Sequence, residues 1–235
     1  MRAIILAGGK GTRLRPYTTL IPKPLVPLGG KYSILEIVIV QLARSGFTRI
    51  TLAVNHLSRL IMAYFGDGAH LGVSIDYSVE ESELSTIGPL TLIGDLPENF
   101  LVMNGDVLCD LDFGAFYSRH VESGSQISVS AYRRQVKIDF GVLRYDASGC
   151  LSEFQEKPVI DYDVSMGIYC ISRSVIDALP RGVKYGFDNL MLDGLSGGRR
   201  IDVRPFSGYW LDIGRPEDYE YADENFAELS KSLGI

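Results

Sequence analysis

Cysteine is scarce in this sequence: Cys109, Cys150 and Cys170 are the only three in 235 residues. An odd number without CxxC spacing excludes a disulfide framework and gives no support to a zinc site. Buried free thiols are the expected state. No apolar run approaches the ~20 residues that a membrane span requires. Arg2 precedes only a strand-length apolar run before glycines and charges, so no secretory leader is read and the expected compartment is the cytoplasm. Blocks of Lys and Arg are lacking, and the net charge is −6. That argues against a general nucleic-acid or membrane surface. Low-complexity segments, long linkers and fixed-period repeats are missing as well.

What is present is an ordinary globular composition, 46% hydrophobic and 22% charged, in a chain long enough to bury a full core. The first half alternates apolar strands with helices. Strands are expected at Ala3–Leu6, Arg49–Val54, Val73–Tyr77 and Phe100–Met103. Helices are expected at Ile34–Arg44, Leu57–Phe65 and Phe113–Glu122, with a short one starting at Gly88. Such alternation means a mostly parallel sheet covered on both faces. The β-branched run in Ile34–Arg44 also fits a strand.

The second half reads differently. Strands Ile127–Arg133, Gly141–Tyr145, Leu151–Gln155 and Ser165–Ile171 follow in quick succession, and Asp146–Gly149 signals a hairpin turn. Helical stretches follow at Ser174–Leu179 and Phe187–Asp193, then a strand at Asp202–Phe206. One closing helix is expected over Arg215–Leu233. The fold class is therefore α/β: a Rossmann-like three-layer α/β/α arrangement, with a mixed, mostly parallel sheet and extra strands in the C-terminal half. Residues 1–235 are read as one domain, with halves of about 1–125 and 126–235.

The first strand runs straight into Gly8-Gly9-Lys10-Gly11, followed by Arg13 and Arg15. A glycine turn at the carboxyl end of a strand lets backbone N–H groups approach phosphates. Neither standard phosphate motif fits. GxxxxGK[ST] is absent, and GxGxxG would need glycine where Leu14 stands. A tight turn with solvated cations is the alternative. Further on, Lys23 stands between Pro22 and Pro24, which stiffen the chain around it.

GGKGTRLRPYT followed by PKPLVPLGG resembles the signature of the sugar-1-phosphate nucleotidyltransferases, GGxGTRLxPxT followed by PKPxxP. The resemblance runs to about Asn225. It implies that the glycine loop wraps a nucleoside triphosphate, with Arg13 and Lys23 as catalytic cations that contact its phosphates and assist departure of pyrophosphate. Leu6, Ala7, Gly8, Gly9, Gly11 and Thr12 would then bind nucleotide, with Glu80 and Gly88 towards the base and Asn104 and Gly105 near the phosphates. The left-handed β-helix tail of longer relatives is not expected.

Asp106 follows the strand that ends in Asn104-Gly105, which aims a carboxylate at the same crevice. Mg²⁺ uses one or two carboxylates plus phosphates and water. The resemblance makes Asp106, in its NGD context, the first metal ligand. It makes Asp212, in GYWLDIG, the second. A helix N-cap is the alternative for Asp212. Asp110 and Asp112 form a DxD pair, a metal site in some glycosyltransferases, but read better as a turn and N-cap before Phe113.

On the sugar side, FQEKP resembles the family's FxEKP. This implies that Glu156 bonds sugar hydroxyls and Lys157 holds the sugar phosphate, with Gly141 turning its backbone to the sugar. Ser165-Met166-Gly167-Ile168-Tyr169 stands where relatives often read NAGIY, so Ser165 replaces a sugar-contacting asparagine. Likewise Leu84-Ser85-Thr86-Ile87-Gly88 stands where many read LGTAG. Glu80 suits guanine N1 and N2, whereas a solvated glutamate is its alternative.

The implied reaction joins a nucleoside triphosphate and a sugar 1-phosphate, giving NDP-sugar and pyrophosphate. The wording is nearest to mannose-1-phosphate and heptose-phosphate guanylyltransferases, followed by glucose-1-phosphate uridylyl- or thymidylyltransferases. Two rivals remain: a DxD glycosyltransferase, and a non-catalytic nucleotide-sugar-binding homologue. Neither nucleic acid nor membrane is an expected partner, and a homo-oligomer is compatible with the sequence.

Overall fold

The computed structural model describes residues 1–235. The strands are β1 (Arg2–Leu6), β2 (Pro27–Leu28), β3 (Tyr32–Ser33), β4 (Arg49–Val54), β5 (Ser74–Val79), β6 (Asn99–Asn104) and β7 (Val107–Cys109). They continue with β8 (Ile127–Lys137), β9 (Val142–Tyr145), β10 (Leu151–Gln155), β11 (Val159–Ser172), β12 (Ile201–Phe206) and β13 (Trp210–Asp212). The helices are α1 (Ile34–Arg44), α2 (Ser58–Phe65), α3 (Phe113–Ser123), α4 (Arg173–Asp177), α5 (Phe187–Ser196), α6 (Pro216–Glu224) and α7 (Phe226–Ser232). None is long and apolar enough to cross a membrane.

Seven strands form the central sheet in the order β12-β8-β11-β6-β1-β4-β5. Only β11 runs against the others. Alternate residues of each strand feed opposite faces. Ala3 and Ile5 of β1 with Leu101 and Met103 of β6 join α1, α2 and α3 in one core. Ile4, Phe100 and Val102 join α4, α5 and the turn at Gly88–Leu92 in the other. The three-layer arrangement follows from this alternation.

Helix α1 shows why its β-branched run does not become a strand. Ser33 Oγ accepts from Glu36 N at 3.2 Å, and Glu36 returns the bond to Ser33 N at 3.3 Å. This capping box fixes the first turn. Leu35, Val38, Ile39 and Leu42 then face the sheet, while Ile34 and Ile37 enter a third cluster with Leu14, Val26 and Tyr219. Burial on two sides suits a helix that is apolar nearly all round.

The single closing helix expected over Arg215–Leu233 is two helices, α6 and α7, broken at Asn225. The break turns Phe226 onto Gly29, where an added Cβ would lie 2.0 Å from the ring. Cys109 and Cys170 are buried free thiols, but Cys150 is exposed because it closes the β9–β10 turn. That hairpin lies beyond the core: every residue of β10 is exposed.

Candidate functional site

Strands β5, β4, β1 and β6 run parallel, in that spatial order. The chain passes from β1 outward to β5 and then returns to the other side of β1 as β6. Open α/β sheets place ligands at the carboxyl end of such a reversal. A cleft of about 620 Å³ lies there, lined by Leu6 at the end of β1 and Ala7 after it, Asn55 after β4, Glu80 after β5, and Asn104, Gly105 and Asp106 at the end of β6. The volume suits a nucleotide-sized ligand.

The glycines of the turn are bare for different reasons. A Cβ on Gly11, at φ +61°, would meet Lys23 Cβ and Thr18 Cγ2 at 3.1 Å, so Gly11 serves the fold. One on Gly8 would meet Glu80 Oε1 at 3.1 Å and Asn55 Cβ at 3.2 Å. Gly9 has no protein atom within 4 Å of that position and no left-handed backbone. It lines the cleft with Gly8, Lys10 and Thr12. Neither packing nor backbone geometry demands a glycine at position 9, whereas close approach of a ligand would.

Lys23 opens a single helical turn, Lys23–Leu25, and is only 8% exposed. Its segment is clamped from behind by the C-terminal helices. Tyr219 Oη donates to Pro27 O at 2.9 Å, and Gly29 N donates to Asp223 Oδ1 at 2.7 Å. Nζ of Lys23 donates to Asp106 Oδ2 in a close ion pair. The other oxygen, Asp106 Oδ1, is buried with no protein partner.

Asp212 is brought beside Asp106 by the short antiparallel pair β7–β13, and Ile213 N donates to Asp106 O at 3.0 Å. Burial pushes the Asp212 carboxyl up, the Asp106 charge adds to that push, and Lys23 and Arg13 oppose it. Asp218, not Asp212, takes the cap of α6: its Oδ2 accepts from Gly214 N and Arg215 N. Two neighbouring carboxylates, one with an unpartnered buried oxygen, form a hard-oxygen donor set that fits Mg²⁺. No group of three or more His, Cys, Asp or Glu is arranged so that protein side chains alone could hold a metal ion. Phosphate and water oxygens would have to complete the shell. The DxD pair stands apart, Asp110 accepting from Tyr209 N at 2.7 Å and Asp112 from Ala115 N at 2.8 Å.

Part of the cleft lining is acidic, formed by Glu80, Glu81 and Glu83. Glu80 is not a solvated member of that run. It is 9% exposed, and its Oε2 accepts from Leu84 N at 3.1 Å. Burial pushes its carboxyl up, and the Leu84 bond pulls the other way. Gly88 lies outside the cleft lining and donates its N–H to Tyr185 O at 2.9 Å. Ser85 and Thr86 line the cleft instead.

Gly141, Glu156, Lys157 and Ser165 do not line the cleft. Gly141 and Glu156 are neighbours on the hairpin arm: a Cβ on Gly141 would lie 3.3 Å from Glu156 Oε2 and 2.7 Å from the Phe154 ring. Lys157 is exposed with φ +44°. Lining residues not picked out from the sequence as site residues include Lys10, Ala53, Asn55, Glu81, Ser82, Glu83 and Thr86. Lys10 was visible inside the glycine turn itself. Asn55 and Thr86 carry no local signal, since the end of β4 and the hydrogen bond from Phe187 N put them there.

Sheet order, reversal point and a glycine turn above a buried lysine define an α/β protein of the nucleotide-binding type. The chain belongs to the nucleotidyl transferase family, whose model matches residues 2–228. It is 34% identical to a mannose-1-phosphate guanyltransferase of Debaryomyces hansenii, over 93% of this chain and 62% of that protein. It is equally 34% identical to a UTP–glucose-1-phosphate uridylyltransferase of Synechocystis, over 93% of this chain and 61% of that one. The chain thus spans about three fifths of the length of these relatives. The crystal structure of HddC from Yersinia pseudotuberculosis complexed with GMP-PN superimposes with a TM-score of 0.71 at 28% identity, covering 96% of this chain and 99% of that one.

Proposed function

We propose that this protein transfers a nucleotidyl group from a nucleoside triphosphate to a sugar 1-phosphate, releasing pyrophosphate. One observation carries the reading: a buried lysine paired to a carboxylate faces a glycine turn whose Gly9 no protein atom approaches. A sugar-phosphate oxygen attacks the α-phosphorus in line. The bond from that phosphorus to the bridging oxygen of the β-phosphate breaks, and pyrophosphate departs with the bonding electrons. The nucleophile is already anionic, so no general base is needed. Catalysis is then positioning and charge neutralisation.

In this scheme Gly8, Gly9 and Thr12 cradle the triphosphate, Gly11 keeps the turn in shape, and Arg13 and Lys10 stand at its edge. Lys23 moves its charge from Asp106 to the phosphates and stabilises the departing group. Asp106 and Asp212 would hold Mg²⁺, which neutralises phosphate charge when bound. Lys157 and Glu156 orient the sugar phosphate from the arm, with Gly141 beneath them. Glu80, in the cleft lining, would accept from the N1–H and N2–H₂ donors of guanine, and the guanyltransferase relative and the GMP-PN complex of HddC support a guanine nucleotide. GTP with mannose 1-phosphate or a related heptose 1-phosphate is therefore the first reading. The uridylyltransferase relative, equal in identity, supports glucose 1-phosphate with UTP or dTTP as the second. The compartment is proposed to be the cytoplasm.

The test is pyrophosphate release with Mg²⁺ across GTP, UTP, dTTP, CTP and ATP, each paired with mannose, glucose and heptose 1-phosphates. The expected productive pair contains GTP. A productive UTP or dTTP pair with glucose 1-phosphate moves the assignment to the second reading. Binding of preformed nucleotide sugars without release from any pair overturns the catalytic reading in favour of a silent binder.

A further inference from the structure

The sequence carries two departures from its family's wording, Ser85-Thr86-Ile87 on the base side and Ser165-Met166 on the sugar side, and the fold joins them physically. Strand β11 pairs with β8 along its whole length, except where the register breaks between Ser165 and Tyr169. Outside the break the two strands form the exposed arm, and inside it they belong to the central sheet. Ser165 pins this break. Its hydroxyl donates to Tyr169 Oη at 3.1 Å and accepts from Gly167 N at 3.3 Å. Tyr169 is 5% exposed, so its ring is fixed by what surrounds it. That ring stacks on Phe187 with centroids 4.0 Å apart and planes 22° apart.

Phe187 is the first residue of α5, and its N–H donates to Thr86 Oγ1 at 2.7 Å. Next to it, Tyr185 O accepts from both Ile87 N and Gly88 N, at 3.0 and 2.9 Å, and Tyr185 N donates to Leu84 O at 3.1 Å. The cleft wall at Ser85-Thr86 is thus held in place from outside. Ser85 needs that support, since its φ of +66° is a left-handed conformation that costs a non-glycine residue on the order of 1–2 kcal/mol.

We propose that Ser165 is a positioning residue for the nucleotide side of the cleft, acting through Tyr169, Phe187 and Thr86, and not a sugar contact like the asparagine it replaces. The inference rests on the nucleotidyltransferase reading. The hydroxyl holds the Tyr169 ring, the ring holds Phe187, and Phe187 holds the wall against which the nucleotide lies. Coupling through packed side chains has to be shown by non-additivity, not by adjacency.

The experiment is calorimetric titration of GTP and of UTP with Mg²⁺ into the unaltered protein, Ser165→Ala, Ser165→Thr, Phe187→Leu and the Ser165→Ala/Phe187→Leu double variant, with KM for the sugar 1-phosphate measured in parallel. Thermal midpoints confirm that each variant is folded. The expected result is a five- to tenfold weaker nucleotide for Ser165→Ala and for Phe187→Leu, and no further loss in the double variant. Threonine at position 165 restores affinity, and KM for the sugar phosphate stays within twofold. Unchanged nucleotide affinity in Ser165→Ala overturns the proposal, as do multiplicative losses or a rise confined to the sugar-phosphate KM. If the unaltered protein binds neither nucleotide, the functional reading falls and this one falls with it.

Discussion

In β1 four of five residues are buried, and in β10 none is. Strand β8 shows both conditions in one element: its first five residues are buried and its last five are exposed. The parallel half holds the glycine turn and Asp106 at the ends of buried strands, with Lys23 buried on a helical turn beside them. The antiparallel arm presents Glu156 and Lys157 on a ribbon packed against little else. Precise charge placement needs side chains locked by packing. A group that must admit a second substrate can sit on a less constrained element, as functional loops do. The division of labour proposed above therefore runs along a physical boundary, at the register break beside Ser165.

The largest expected effect tests that boundary by stability. Phe100→Ala removes a fully buried ring from the parallel half and should cost about 3–5 kcal/mol in denaturant unfolding. Phe154→Ala, on the arm at 56% exposure, should stay within about 0.5 kcal/mol. Equal losses would abolish the distinction. Next in size, Lys23→Ala should lower kcat/KM for pyrophosphate release by about a hundred- to a thousandfold. Lys157→Ala should act instead through the sugar-phosphate KM, leaving nucleotide affinity in place. The same signature for both lysines would mean that arm and cleft hold one substrate in common.

A smaller effect separates ligand from fold inside the parallel half. Gly9→Ala should leave the thermal midpoint unchanged, because nothing lies within 4 Å of the new Cβ. It should weaken triphosphate binding about tenfold, or ~1.4 kcal/mol. Unchanged affinity would remove the phosphate-cradle argument. The smallest effect probes the buried end of β8, on the sheet side of that boundary. His120 is 1% exposed, with Nδ1 2.9 Å from Ser128 Oγ on β8 and Nε2 3.1 Å from Asn99 Oδ1 on β6.

Burial holds the His120 pKa below its usual value, so the unfolded chain binds the proton more readily than the folded one. Stability from this neutral imidazole is then fully present above the unfolded value of about 6.5 and is lost as pH falls through it. Denaturant midpoints between pH 7.5 and 5 should decline for the natural protein and decline less for His120→Gln. Parallel curves would show that the buried end of β8 is insensitive to this ring.

Much of the architecture was legible because local signals agreed with tertiary demands. Ile34–Arg44 reads as a helix, although its β-branched run also fits a strand, and the structure gives those same bounds. The Asp146–Gly149 turn places the β9–β10 hairpin. The break at Asn225 was not legible, since it answers to the contact of Phe226 with Gly29, nearly two hundred residues away. Exposure of Cys150 was hidden for a similar reason: nothing local says that the hairpin leaves the core. Around the cleft, Gly9, Lys23 and Asp106 stand out as residue types in a pattern. Thr86 does not, because its role comes from Phe187 on a distant helix.

The exposed thiol at the hairpin tip has a practical consequence. Cys109 is pushed up to about 12 by burial, and burial raises Cys170 further still. Both are shut away from reagents, while Cys150 stands open beside the Asp146 turn. The unmodified sequence therefore behaves as a single-thiol protein towards a maleimide dye. A fluorophore attached there reads the position of the arm directly, so its displacement on adding substrate can be followed without engineering a residue.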